Sequence, residues 1–144
     1  MIHEIDTEPQ RQPDGELNVR KILITEDDVC QMEILEFRFS QQGFQVIKAQ
    51  TGQQAMELAA QHLPDAILMD VDLPDMSGME LCRKLTDADA TADIPIVILS
   101  GSTDQDIVRQ ARSAGSSFFL HKPFDPTALL LLVTQAIEDA KQWI

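Results

Sequence analysis

The chain has 144 residues, 44% of them apolar, enough for one domain with its own core and too few for two. Its formal net charge of −13 opposes a phosphate backbone, so direct nucleic-acid binding is not expected. No run approaches ~18 consecutive apolar residues, the acidic start Met1-Ile2-His3-Glu4-Ile5-Asp6 lacks the apolar segment of a signal peptide, and Cys30 and Cys82 have neither scaffold nor metal-site spacing; a reducing cytoplasm without membrane insertion is the expected setting.

Residues 1–19 carry Pro9, Pro13 and Gly15, and Glu4, Asp6, Glu8, Asp14 and Glu16 stand there against Arg11. An acidic N-terminal tail, flexible or weakly docked, is expected there, with the folded domain over 20–144. Arg20 to Thr25 reads as a first strand that stops at Glu26-Asp27-Asp28. Val29 to Gln42 has helical spacing at Val29, Met32, Leu35 and Phe39, joined by Ile34 and Phe37, and Gly43 ends it. Phe44 to Ala49 is a second strand, and Thr51 can cap a helix from Gly52 to about His62. Ala66-Ile67-Leu68-Met69-Asp70 is an unbroken apolar run ended by a carboxylate, hence a central strand buried on both faces. A short helix follows from Met79 to about Thr86. Ile94 to Leu99 is a further buried strand, Pro95 standing at its start, and it ends at Ser100-Gly101-Ser102. Thr103 can cap a helix from Asp104 to about Ala114. Ser117 to His121 is the last strand, followed by Lys122-Pro123-Phe124 and a helix from Pro126 to about Gln142. This strict alternation predicts an α/β fold: a parallel sheet, right-handed crossovers and helices on both faces. The first and third helices then cover opposite faces, so Cys30 and Cys82 lie too far apart to bridge.

Parallel strands bring their carboxyl ends to one sheet edge, where open α/β sheets place ligands. Glu26 and Asp27, Asp70, Ser100 and Lys122 all stand at such ends. Taken alone, Asp70 is also what a strand-ending Asp that caps the next turn looks like. Three carboxylates together require a counter-ion, and a hard divalent cation such as Mg²⁺ suits oxygen ligands. With it, Asp70 can act as a carboxylate nucleophile towards a phosphoryl group. Lys122 can place a point charge on a carboxylate or phosphate oxygen, Ser100 can donate a hydrogen bond, and Gly101 leaves room for an incoming donor.

The sequence resembles the receiver domain of two-component response regulators. The resemblance rests on Ile22-Leu23-Ile24-Thr25-Glu26-Asp27-Asp28, Leu68-Met69-Asp70-Val71-Asp72-Leu73-Pro74 with Gly78, Ser100, and Lys122-Pro123-Phe124, and covers about residues 20 to 142. It implies a flavodoxin-like doubly wound sheet of five strands, order 2-1-3-4-5, with five helices. It also implies Asp70 as phosphoacceptor, Glu26 and Asp27 as metal-binding acids, the Asp72 backbone carbonyl as a further ligand, Ser100 as switch hydroxyl and Lys122 as phosphate-binding lysine. Phe119 takes the aromatic switch position, where an inward-biased ring is expected. The implied donor is a phosphohistidine on a sensor kinase or phosphotransfer protein. The implied output is a changed surface, formed by the fourth helix, last strand and final helix, for a downstream protein target. An output domain beyond the last helix is not expected. Asp72 is expected to tune the lifetime of the phosphorylated state.

Two alternatives stand beside this reading. Asp70-Val71-Asp72 resembles the Asp-x-Asp pair of haloacid dehalogenase phosphatases, but there the pair ends the first strand of a larger domain. A binding module that kept the receiver fold without taking phosphate is the other. His3, His62 and His121 have no metal-ligand spacing, and strand alternation turns His121 away from Lys122.

Overall fold

The computed structural model describes residues 10–11 and 17–141. Five strands, β1 (Lys21–Thr25), β2 (Gln45–Ala49), β3 (Ala66–Asp70), β4 (Ile96–Ser100) and β5 (Phe118–His121), form one parallel sheet in the order β2-β1-β3-β4-β5. Five helices alternate with them: α1 (Val29–Gln41), α2 (Gly52–His62), α3 (Gly78–Asp87), α4 (Gln105–Ser113) and α5 (Pro126–Lys141). The expected flavodoxin-like doubly wound fold is thus present, and strand order reverses between β1 and β3.

Strand alternation sorts the core into two layers. Ile22, Ile24, Leu68, Val97 and Leu99 pack with Met32, Leu35 and Phe39 of α1 and Leu129, Val133 and Ile137 of α5. Leu23, Ile67, Met69, Ile96 and Ile98 face the other way, onto α2, α3 and α4 through Ala55, Leu81, Cys82, Leu85 and Ala111. Each fully buried Leu or Ile contributes about 2 kcal/mol relative to exposure, and Ile22, Leu23, Ile24, Ile67, Leu68, Ile96, Ile98 and Leu99 of the three central strands are all of this kind. Cys30 is exposed and Cys82 buried, on helices of opposite layers, and both are free thiols.

Local expectations shift at element ends. Asp104, not Thr103, caps α4: its backbone is extended and its carboxylate accepts from the Asp106 amide at 2.9 Å, so the helix begins at Gln105. Ser77 caps α3, which therefore starts at Gly78 rather than Met79. β4 starts at Ile96 because Pro95 has no N–H for the ladder, although its carbonyl accepts from Ile67 at 2.9 Å. On α1 the inward stripe is Met32, Leu35 and Phe39, while Val29, Ile34 and Phe37 lie exposed. The expected tail over 1–19 falls mostly outside the described residues; within it, Gln10–Arg11 pairs antiparallel with Leu17–Asn18.

Candidate functional site

The carboxyl ends of β1, β3, β4 and β5 meet at one edge, where Glu26, Asp70 and Ser100 are buried, Lys122 is partly buried and Asp27 is exposed. Glu26 is 3% exposed and Asp70 is 7% exposed. Carboxylate oxygens of Glu26, Asp27 and Asp70 lie within 4.8 Å of one another. Lys122 reaches in from the end of β5: its Nζ donates to Asp70 Oδ2 at 2.7 Å and stands 3.5 Å from Glu26 Oε1. The Lys122–Pro123 peptide is cis. Two backbone amides hold the acids in place. Asp28 N donates to Glu26 Oε2 at 3.2 Å, and Asp72 N donates to Asp70 Oδ1 at 3.0 Å.

The electrostatics follow from this crowding. Burial pushes the Glu26 carboxyl above its ordinary range, and the neighbouring charges of Asp70 and Asp27 add to that; the Asp28 amide and Lys122 oppose it without reversing it. For Lys122, burial alone would lower the ammonium. The hydrogen bond to Asp70 and the charges of Asp70 and Glu26 outweigh it and hold Lys122 above its usual value. Among the described residues, Lys122 is the cation paired with Glu26 and Asp70, and Asp27 adds a third carboxylate to the cluster. A set of hard oxygen donors with charge left over fits a divalent cation such as Mg²⁺.

Ser100 is fully buried at the end of β4. Its Oγ accepts from Ser102 N at 3.0 Å, which leaves the hydroxyl proton free to be donated. Lys122 N donates to the Ser100 carbonyl at 2.8 Å, fixing the lysine's backbone to β4. Gly101 faces open space, since a Cβ there would meet nothing within 4 Å. Phe119 pairs in register with Ile98, is half-buried against the α2–α4 layer, and meets His121 edge-on at 5.1 Å between ring centroids. Asp72 exposes its side chain; the group it turns towards Asp70 is its amide.

Several residues at this edge were not singled out by their residue types. Asp28 is the N-cap of α1, accepting from the Cys30 and Gln31 amides at 2.9 and 3.1 Å; an Asp directly before a helical pattern is the signal that marks it. Asp75 accepts from the amides of Gly52 and Gln53 at 2.8 and 2.9 Å, and no local pattern announces a cap supplied from 22 residues away. Thr25 buries a hydroxyl with no hydrogen-bond partner among the described residues.

A doubly wound parallel sheet with acids, a hydroxyl and a lysine gathered at its carboxyl edge defines a receiver-type domain. The chain belongs to the response regulator receiver domain family, whose pattern matches residues 22–134. It is similar to the response regulator PleD of Caulobacter vibrioides, 35% identical over 113 residues that make up 78% of this chain and 25% of PleD. It is also similar to the polar-differentiation response regulator DivK of Brucella anthropi, 27% identical over 84% of this chain and 98% of DivK. The chain thus spans a quarter of the one relative and nearly all of the other. Among solved structures it resembles the receiver domain of sensor histidine kinase PA1611 from Pseudomonas aeruginosa PAO1. That likeness has a TM-score of 0.77 and 27% identity, covers 84% of this chain and 99% of that one, and PA1611 carries a magnesium ion coordinated in its active-site cleft. Membership of a signalling family sets aside the haloacid dehalogenase reading. The strand positions agree, since Asp70 ends the central strand of five rather than a first strand.

Proposed function

We propose that this chain is a phosphorylation-activated signalling protein that takes a phosphoryl group on Asp70 from a phosphohistidine of a sensor kinase or phosphotransfer protein. The observation that carries this reading is the joining of Asp70 to Lys122 at 2.7 Å inside a cluster with Glu26 and Asp27. The carboxylates of Glu26, Asp27 and Asp70, with the Asp72 backbone carbonyl, would hold Mg²⁺. When bound, that cation supplies charge neutralisation for carboxylate and phosphoryl oxygens. The PA1611 receiver, with magnesium coordinated in its own active-site cleft, supports that choice of ion.

The chain's own groups supply the rest. The Asp72 amide orients the Asp70 carboxylate through Oδ1. An Asp70 oxygen attacks phosphorus; a P–O bond forms as the P–N bond of the phosphohistidine breaks, and the electron pair leaves with the imidazole nitrogen. Lys122 stays on an oxygen of the new acyl phosphate, and the Ser100 hydroxyl moves to donate to another. Gly101 leaves that approach open. The Ser100 movement vacates space beside Phe119, whose ring turns further inward and alters the surface of α4, β5 and α5 for a downstream protein target. The setting is cytoplasmic, and no helix among the described residues is long and apolar enough to cross a membrane. Incubation with acetyl phosphate tests the reading. Label should appear with Mg²⁺, vanish with chelator, and be lost in Asp70→Asn; equal labelling of that variant would overturn it.

A further inference from the structure

The loop from β3 to α3 bears the candidate phosphoacceptor at its start, and its far end is fastened to a different helix. Near Asp70 the loop closes on itself. Gly78 N donates to the Val71 carbonyl at 2.7 Å, and Asp72 bridges antiparallel to Ser77. A Cβ on Gly78 would lie 2.5 Å from the Asp70 carbonyl oxygen, so this closure needs glycine. The apex then reaches across to the N-terminus of α2. There Asp75 accepts from Gly52 N and Gln53 N with separate carboxylate oxygens, while Thr51 Oγ1 takes the Gln54 amide at 3.1 Å. Met76 lies against the same turn, and a Cβ on Gly52 would come within 2.6 Å of its Cγ and Sδ. Asp75 therefore caps a helix from outside that helix, with a charge at the positive end of its dipole. Those two amides also hold its carboxyl below the ordinary range.

We propose that Asp75, with Met76 seated over Gly52, is a positioning residue for the phosphoacceptor site. By pinning the loop apex to α2 it fixes the backbone of Asp72, whose amide orients Asp70 and whose carbonyl belongs to the ion site. The inference rests on the phosphoacceptor reading above. It adds a residue that touches neither ion nor phosphoryl group, and a mechanical link from Asp70 to α2.

The test uses the full chain and the variants Asp75→Ala, Asp75→Asn and Gly52→Ala. Asn keeps one acceptor for two amides, and the alanine at 52 displaces Met76 from the opposite side of the contact. Mg²⁺ affinity is measured by calorimetry, the acetyl phosphate labelling rate of Asp70 by intact mass, amide exchange at residues 52 and 53 by NMR, and stability by urea unfolding. Asp75→Ala should lose protection at both amides and bind Mg²⁺ about tenfold more weakly, the lower end of what an outer-shell partner is worth. Labelling should slow in step, Asp75→Asn should lie between, and Gly52→Ala should weaken Mg²⁺ binding even where its urea midpoint is unchanged. Two results would overturn the proposal: amides 52 and 53 staying protected in Asp75→Ala, or Mg²⁺ affinity and labelling staying within about twofold of wild type in Asp75→Ala and Gly52→Ala. If Asp75→Ala does not fold, Asp75→Asn and Gly52→Ala decide by the same criteria. Wild-type protein that neither binds Mg²⁺ nor labels at Asp70 would instead overturn the phosphoacceptor reading, and this proposal with it.

Discussion

Thr25 and Glu26 are neighbours at the end of β1, and both are buried polar groups held at some cost. Thr25 is 1% exposed and its hydroxyl finds no partner among the described residues, whereas valine has the same shape without the unmet hydrogen bond. Thr25→Val should therefore stabilise the protein by about 1 kcal/mol in urea unfolding. A lower midpoint would mean that the hydroxyl is satisfied in solution, for instance by an internal water. For Glu26 the sign follows from burial. Its carboxyl is raised in the folded state, so the native protein holds that proton more tightly than the unfolded chain, and stability falls as pH rises through the window above the ordinary carboxyl value. Metal-free Glu26→Gln should lose this slope and match or exceed wild-type stability at neutral pH, since Lys122 keeps its closer partner Asp70. Denaturant midpoints across pH 5 to 7 with chelator present check this, and an unchanged slope would contradict it. Glu26, Asp27 and Asp70 were legible in the sequence because they stand together at the ends of strand-like apolar runs, Glu26-Asp27 after Ile22 to Thr25 and Asp70 after Ala66 to Met69. Thr25 and Asp75 were not, because their significance lies in burial or in a partner on a distant element.

Helices and strands are legible in the sequence because their signals are periodic and local, and where an element end differs the cause is a single residue. Thr103 and Asp104 are both good caps, and only the backbone decides that Asp104 is the one used. Val29 shares the helical spacing of Met32, Leu35 and Phe39, but at the first position of α1 it stands in solvent. The two faces of the sheet give a direct chemical check. Cys82 sits in the α2–α4 layer, donates to the Ala114 carbonyl at 3.3 Å, and burial pushes its thiol up to about 11; Cys30 is exposed on α1. In native protein at pH 8 a thiol reagent should modify Cys30 rapidly and leave Cys82 intact until denaturant is added. Equal rates at both, or an intrachain disulfide between them, would contradict the packing.

At the scale of the whole molecule, strand alternation predicted a parallel α/β sheet, while the order 2-1-3-4-5 came from the family resemblance and not from the pattern of elements. That order matters because it puts β1 and β3 side by side, in register from Ile22 with Ala66 to Thr25 with Met69, and so brings Glu26 and Asp27 to Asp70. It likewise sets β5 beyond β4, from where Lys122 reaches Asp70 across 52 residues of sequence. The same edge is built from separate parts of a chain whose net charge is −13, so a cation bound there relieves both local and overall repulsion. Mg²⁺ should accordingly raise the urea midpoint of wild type by mass action and leave that of Asp70→Asn/Asp27→Asn much less affected. The most direct measurement is intact mass with peptide mapping after acetyl phosphate treatment of wild type and Asp70→Asn, each with Mg²⁺ or chelator. We expect one added phosphoryl group, on Asp70, in wild type with Mg²⁺ and in no other sample; label on another residue, or undiminished label in Asp70→Asn, would contradict the assignment of Asp70 as phosphoacceptor.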